Sequence, residues 1–500
     1  MLVHGYSEQF LNAYGTFPEA LAATAPELKD QIVLSAFDSL DDGVTIDDLA
    51  RGLEQQISSI ENTRAGWNTA DAAFFCHSTG ALVVRRWIVN RLGNARQPLP
   101  THLVTMAGAN HGSSLAQLGR TPLGYVHQDI FKNSATVGAR VLTDLDYGSE
   151  FLFRLNNDWL DWRYGDLAAR DGRLKNMFVF SMGGDSLGND KTVRAVWASS
   201  ERGCDNTVRI SGANLNYTIL SGFPNQRSLV RKPRGQEAHL IVPGYSHYGP
   251  DTGIMASCRT PADPPMQAIR QALDVPAVTT YSAVLQDWAD KCDTWAKSSA
   301  THPTLADENY DPQTNADVHV NSTIVFRLRD WGGRDISDCY IGLLDGTATD
   351  AEKDIGHDDL IERLLNISES ILSHQPIHNN VALGSYSFYV NTAAFSAVHH
   401  LISITATEVG DCVPFNPVTY EYIPAGPLRL VAPNEVTYVD IQMWRDPSEA
   451  YALYDVVGRP SNEDAWRPFP DLGRIAPVTP APAVAPSPAA PGPVPPKPAV

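Results

Sequence analysis

The chain has 500 residues, 43% of them apolar and 9% aromatic, with a formal charge of −19. That length exceeds what one ordinary domain requires, so two folded units and a tail are expected. The negative charge argues against nucleic acid or an anionic membrane surface as a partner, because both would be repelled at long range.

Taken in chain order, Met1-Leu2-Val3 reads as the end of a buried strand running into His4-Gly5. The sequence is therefore expected to begin inside its first element. No signal peptide precedes it, and a truncated start leaves localisation open. Further strands are expected over 31–37 (QIVLSAF), 72–78 (AAFFCHS), 102–108 (HLVTMAG), 177–183 (MFVFSMG) and 239–244 (HLIVPG). Helical spacing joins Ile46, Leu49, Leu53, Ile57 and Ile60 between the second and third of these, with Thr45 as cap and Asp47-Asp48 suited to the positive helix end. Apolar strands alternating with helices point to an α/β class with a mostly parallel sheet.

The interval from about 113 to 176 is far longer than one crossover helix needs. It carries Phe151, Phe153, Trp159, Trp162 and Tyr164. Extra core is one reading, and a cap over the carboxyl ends of the strands is the better one. A helix is expected over 279–298. Residues 1–300 are thus assigned to the α/β domain.

From about Val318 the pattern turns to period two, in runs such as HVNSTIVFRLRDW, SYSFYVN, HLISITATEV and TYVDIQMWRD. Residues 318–455 are read as a small, mostly β, sandwich-like domain, interrupted by one amphipathic helix over 355–374. This domain is either a packing module or a binder of substrate or polymer. Residues 456–500 form a Pro-rich tail. Its last 25 residues hold ten prolines and one charge, Lys497, a composition that cannot bury a core and predicts disorder.

Six cysteines without a Cys-x-x-Cys spacing make neither a disulfide framework nor a zinc site. Cys258 with Cys292, and Cys339 with Cys412, are the pairs that a bridge could join within one region. No run reaches the roughly 18 apolar residues of a membrane span.

The chemistry is expected around Ser78. The run AAFFCH leads into it and GALVVRRWIVNRL leads out, which presents Ser78 on a strand-to-helix turn with Gly80 at a position that needs a small residue. Cys76 stands where a G-x-S-x-G pattern has glycine. Order adds weight: LVHGYS, CHSTG, AGANHGSS, GCDNTVRISGAN and PGYSHYG follow one another at successive strand ends.

These five motifs resemble the α/β-hydrolase superfamily, and within it the serine lipase and esterase branch with a short His-Gly-x oxyanion segment. The resemblance covers about Leu2 to Gly249. It implies Ser78 as nucleophile, Asp205 as acid and His247 as general base, with an oxyanion hole from the backbone N–H groups of Tyr6 and Thr79. His4 and Gly5 would hold the oxyanion segment, and Asn110 and His111 a supporting loop. Serine needs an imidazole to take its proton, and a buried carboxylate to fix the tautomer of that imidazole.

Asp185, directly after a strand, is the alternative acid, with Asp190 a more distant one; His239 competes with His247. His77 is expected at the pocket mouth or against the sheet. The implied activity is carboxylic ester hydrolysis on a small-molecule or lipid ester, with the aromatic insertion leaning toward lipid. A lipid acyltransferase or phospholipid acyl hydrolase would use the same triad. A non-catalytic binding protein keeping the fold is the rival of another class. The mechanism calls for no metal and no cofactor, and the oligomeric state is left open.

Overall fold

The computed structural model describes residues 1–6, 14–94, 96–113, 115–116, 136–188, 203–223, 229–298, 320–345, 372–380, 384–392, 400–406, 415–422 and 431–445. Strands Leu2–Val3 (β1), Ala73–His77 (β2), His102–Met106 (β3) and Phe178–Gly184 (β4) are followed, after Tyr217–Gly222 (β5) and Val230–Arg231 (β6), by Ala238–Val242 (β7). Five of them form one parallel sheet in the order β1-β2-β3-β4-β7.

Successive residues of these strands point to opposite faces, and both faces are buried, which is why the strands read as unbroken apolar runs. Val3, Phe74, Leu103 and Val179 join one core, and Leu2, Phe75, Val104 and Phe180 the other. The second core is closed by helices Phe17–Thr24 (α1), Pro264–Leu273 and Val278–Ser298, through Phe17, Met266, Ile269 and Trp288. The first is closed by Ile46–Thr63 (α2) and Thr79–Arg91 (α3). At the start of α2, Thr45 and Asp48 form a reciprocal capping box that satisfies two orphan amides.

The strand expected over 31–37 is reduced to a single parallel bridge between Leu34 and Leu2. Gln31 closes a 3-10 turn, Pro26–Gln31, and a two-residue β1 supports only Leu2 N→Val33 O (2.8 Å) and Ser35 N→Leu2 O (2.9 Å). Within the long insertion, Ala139–Asp144 (α4) directs Val141 and Leu142, and Glu150–Arg163 (α5) directs Leu152, Leu155 and Trp159, into the first core. Phe153 and Leu160 pack instead with Tyr217, Val325 and Tyr438. Each fully buried side chain of this kind contributes roughly 1.5–3 kcal/mol.

The later strands are Asn321–Asp330 (β8), Cys339–Asp345 (β9), Leu372–Asn380 (β10), Ser385–Asn391 (β11), His400–Ala406 (β12), Val418–Tyr422 (β13) and Val436–Met443 (β14). They form a three-stranded sheet, β13-β12-β9, and a six-stranded sheet, β10-β11-β8-β14-β5-β6. In the latter, β14 runs parallel to both β8 and β5, so this sheet takes strands from either side of residue 318. Period two again sorts the faces: Ile324, Phe326 and Leu328 meet Ile402 and Ile404 between the sheets, while Val325 turns toward α5. Met1–Arg445 forms one compact unit and Asp446–Val500 a second. The second unit, with the Pro-rich tail, lies outside the described residues, as do residues 117–135 of the insertion.

Two expectations are corrected here. Cys258 and Cys292 are not bridged: their Sγ atoms face the carbonyls of Ile254 (3.3 Å) and His239 (3.4 Å). Cys339 is also unbridged, and Cys412 lies outside the described residues. The helix expected over 355–374 falls mostly outside them too, but its last residues, Leu372 to His374, belong to β10, paired with β11.

His77, His111 and His239 are enclosed, and burial pushes each down to about 3. An unfolded chain binds these protons near 6.5 and the folded chain does not, so their stability contribution is present above pH 6.5 and lost as pH falls toward 3. Asp144 works the other way, since burial raises it to about 6. Each group is worth about 1.4 kcal/mol per pH unit at full slope, and three outweigh one. The urea midpoint is therefore expected to be lower at pH 5.5 than at pH 7.5, and equal midpoints would contradict this assignment.

Candidate active site

Ser78 stands between β2 and α3 with φ 54° and ψ −126°, a conformation that L-residues avoid at a cost of roughly 1–3 kcal/mol. The surroundings hold it there. Ser78 N donates to Met106 O (3.2 Å), and Ser78 O accepts from Ala81 N (3.1 Å) and Ala109 N (3.2 Å). At Gly80 the chain crosses so closely that an added Cβ would lie 2.3 Å from His4 O and 2.7 Å from Val3 O. Only glycine fits that crossing. Cys76 is fully buried with Val3, Phe74 and Ala81, and burial pushes its thiol up, so it packs as a small apolar residue inside the strand.

His247 lies in the loop after β7. Its Nδ1 donates to Asp205 Oδ2 at 2.9 Å, and its backbone N donates to Asp205 O at 2.8 Å. The other carboxylate oxygen, Asp205 Oδ1, accepts from Val208 N (2.7 Å) and Thr207 N (3.1 Å). Both carboxylate oxygens are thus occupied, and the ring is fixed with its proton on Nδ1 and a lone pair on Nε2. Asp185 is committed elsewhere: Oδ1 accepts from Gly244 N (2.6 Å) and Oδ2 from Trp295 Nε1 (2.8 Å). Asp190 lies outside the described residues. His239 is bound through Nδ1 to Ser181 Oγ at 2.9 Å, inside β7.

His77 joins the Ser78 turn to the His247 loop. Its Nε2 donates to His247 O at 2.8 Å, and the two rings lie 4.8 Å apart. The segment His4-Gly5-Tyr6 passes directly against Ser78, since a Cβ on Gly5 would lie 2.7 Å from Ser78 Cβ. His4 fixes that segment: Nδ1 donates to Gly5 O (2.8 Å), Nε2 accepts from Phe37 N (3.0 Å), and the ring stacks on Phe37 at 4.1 Å. The Tyr6 hydroxyl donates to Val137 O. Thr79 opens α3, where an amide has no partner one turn back within the helix.

No family model and no curated protein matches the sequence. Among solved structures, the chain is similar to phospholipase PlaB from Legionella pneumophila, with 24% identity, 92% of this chain and 96% of that chain covered, and a TM-score of 0.75. It is also similar to PlaB in complex with thio-NAD, at 24% identity, 92% and 97% coverage and a TM-score of 0.72. The chain has an α/β-hydrolase fold.

In this fold the Asn110-His111 turn ties several elements together. Asn110 Nδ2 donates to Ala213 O (2.9 Å), His111 Nε2 to Asn214 O (2.9 Å), and the Tyr438 hydroxyl of β14 to His111 Nδ1 (3.0 Å). Sequence reasoning missed the residues that complete this network. Arg85 of α3 is fully buried, donates to Asn156 Oδ1 (2.8 Å), and lies 4.8 Å over Trp159. Tyr217 donates to Asn156 O (2.7 Å). No local signal announces them, because a lone arginine in a helix pattern reads as a surface residue.

Proposed function

We propose that the protein is a serine hydrolase of lipid carboxylic esters, acting through Ser78, His247 and Asp205. The observation that carries the reading is the hydrogen-bonded His247–Asp205 pair, tied through His77 to the strand-to-helix turn that holds Ser78 at φ 54°. Ser78 Oγ attacks the ester carbonyl carbon while its proton passes to His247 Nε2. The C–O bond to the alcohol then breaks, and the leaving oxygen takes that proton. Water, deprotonated by His247, attacks the acyl carbon; the bond to Ser78 Oγ then breaks, Oγ takes the proton back from His247, and the carboxylic acid leaves. Backbone N–H groups of Thr79 and Tyr6 are the proposed oxyanion donors, each worth about 100- to 1000-fold in rate. Asp205 stabilises the imidazolium that forms between the two proton transfers.

Phospholipid is the substrate class to test first. The likeness to a phospholipase spans 92% of this chain, so it includes the β region as well as the parallel sheet. Wild-type protein is expected to release fatty acid from phospholipid vesicles and to take up a fluorophosphonate probe. A panel of triglyceride and short- and long-chain p-nitrophenyl esters places phospholipid among the alternatives. Acyl appearing on an added alcohol in place of free fatty acid would replace hydrolysis with transfer. No labelling and no turnover on any ester would remove the reading.

A further inference from the structure

We infer that Arg209 is a positioning residue that clamps the Asp205 loop to the β region and so sets the carboxylate on which His247 depends; this rests on the serine-hydrolase reading above. The loop is closed on itself. Asp205 N donates to Val208 O (3.1 Å), Ile210 N to Gly203 O (2.9 Å), and Cys204 and Arg209 pair as an antiparallel bridge at its base. Asn206 takes φ 78° at the tip. With Oδ1 held by the Thr207 and Val208 amides of the same loop, the Asp205 carboxylate goes wherever the loop goes.

Arg209 is one of the groups that set where that is, with Ser113 Oγ on Thr207 O (2.5 Å) and Asn206 Nδ2 on Leu187 O (3.2 Å). The Arg209 side chain is buried, with the guanidinium 4.3 Å from the Tyr389 ring of β11 and 4.7 Å from the Tyr147 ring ahead of α5. Nη1 reaches Ser387 Oγ at 3.4 Å and Thr323 Oγ1 at 3.5 Å, long contacts that add direction more than strength. Tyr389 also grips the other end of the loop, donating its hydroxyl to Gly203 O at 3.2 Å. Next to the clamp, Ser211 Oγ and Thr323 Oγ1 share a hydrogen bond of 2.8 Å. Tyr389, Ser387 and Thr323 all belong to the six-stranded sheet, outside the parallel sheet that carries Ser78. A planar guanidinium can stack on two rings and still direct its N–H groups at Ser387 and Thr323, a combination that a compact ammonium does not reproduce, so lysine is not an equivalent here.

The test uses the full-length protein, with turnover counted per serine titrated by fluorophosphonate. Arg209→Lys is expected to lower kcat per titrated serine by about 10- to 100-fold, the cost of a carboxylate misplaced by a fraction of an ångström, with KM within about twofold. Tyr389→Leu removes one ring and should act in the same direction if the arginine variant fails to fold. In an Asp205→Asn background, Arg209→Lys should cause no further loss, because both changes act through one carboxylate. A smaller titratable fraction with normal kcat per titrated serine, or an additive loss in the Asp205→Asn background, overturns the clamp. A wild-type protein that neither titrates nor cleaves ester overturns the hydrolase reading, and the clamp with it. An active wild type beside normal Arg209→Lys and Tyr389→Leu variants overturns the clamp alone.

Discussion

Ser78→Ala is expected to abolish fluorophosphonate labelling and to reduce ester turnover by at least about 10³-fold, because removing the nucleophile leaves only binding and oxyanion stabilisation over the reaction in water. The same substitution should cost little stability. Alanine retains the backbone that Met106, Ala81 and Ala109 hold in place, although φ 54° stays strained for any Cβ-bearing residue. A variant that melts at nearly the wild-type temperature and is catalytically silent therefore identifies Ser78 by chemistry alone. Equal labelling of wild type and Ser78→Ala would place the nucleophile elsewhere. Cys76 would not then be the natural substitute, since it is wholly buried within β2 and burial raises its thiol well above the thiolate range.

How much of this site was legible in the sequence depends on how local each signal is. The turn at Ser78 declares itself through an apolar run, a small residue and a helix, all within about twenty residues, and α2 declares itself through its cap and its periodicity. The sequence reading named Asp205 as the acid and kept Asp185 as the alternative, because both follow the same strand. The choice lies in which groups meet each carboxylate, and Trp295 and Gly244, which claim Asp185, come from distant parts of the chain. β5 was missed for the same reason: Tyr217–Gly222 finds its parallel partner in Val436–Met443. Period two reveals which later runs are strands and which of their residues face inward, yet says nothing of which strand lies beside which. The aromatic insertion shows the limit from the other side. Its composition suggested either a cap or core, and Phe153 and Trp159 are enclosed by partners as far apart as α3 and β14. Arg85 and Arg209 were beyond reach altogether, since their burial depends on rings distant in the chain: Trp159 of α5 for one, Tyr147 ahead of α5 and Tyr389 of β11 for the other.

Asp205→Asn should lower turnover by about 10⁴-fold while the protein stays folded. The geometry gives the sign. Asp205 Oδ1 accepts from the Thr207 and Val208 amides, so an asparagine keeps its carbonyl oxygen there and turns its NH2 toward His247 Nδ1. Two donors cannot share that hydrogen bond, and the imidazole must move its proton to Nε2. Nε2 then has no lone pair to accept the Ser78 proton, and no carboxylate stabilises an imidazolium. Binding of the acyl chain is unaffected by this exchange, so KM should change far less than kcat. Asp185→Asn is the matched control. It leaves His247 alone and spoils the reception of either Gly244 N–H or Trp295 Nε1–H, a loss of about 1–3 kcal/mol in stability with turnover retained in the folded fraction. Steady-state kinetics and urea unfolding on the two variants give opposite patterns if Asp205 is the acid. A near-normal rate in Asp205→Asn with a collapse of turnover in Asp185→Asn would move the role to Asp185.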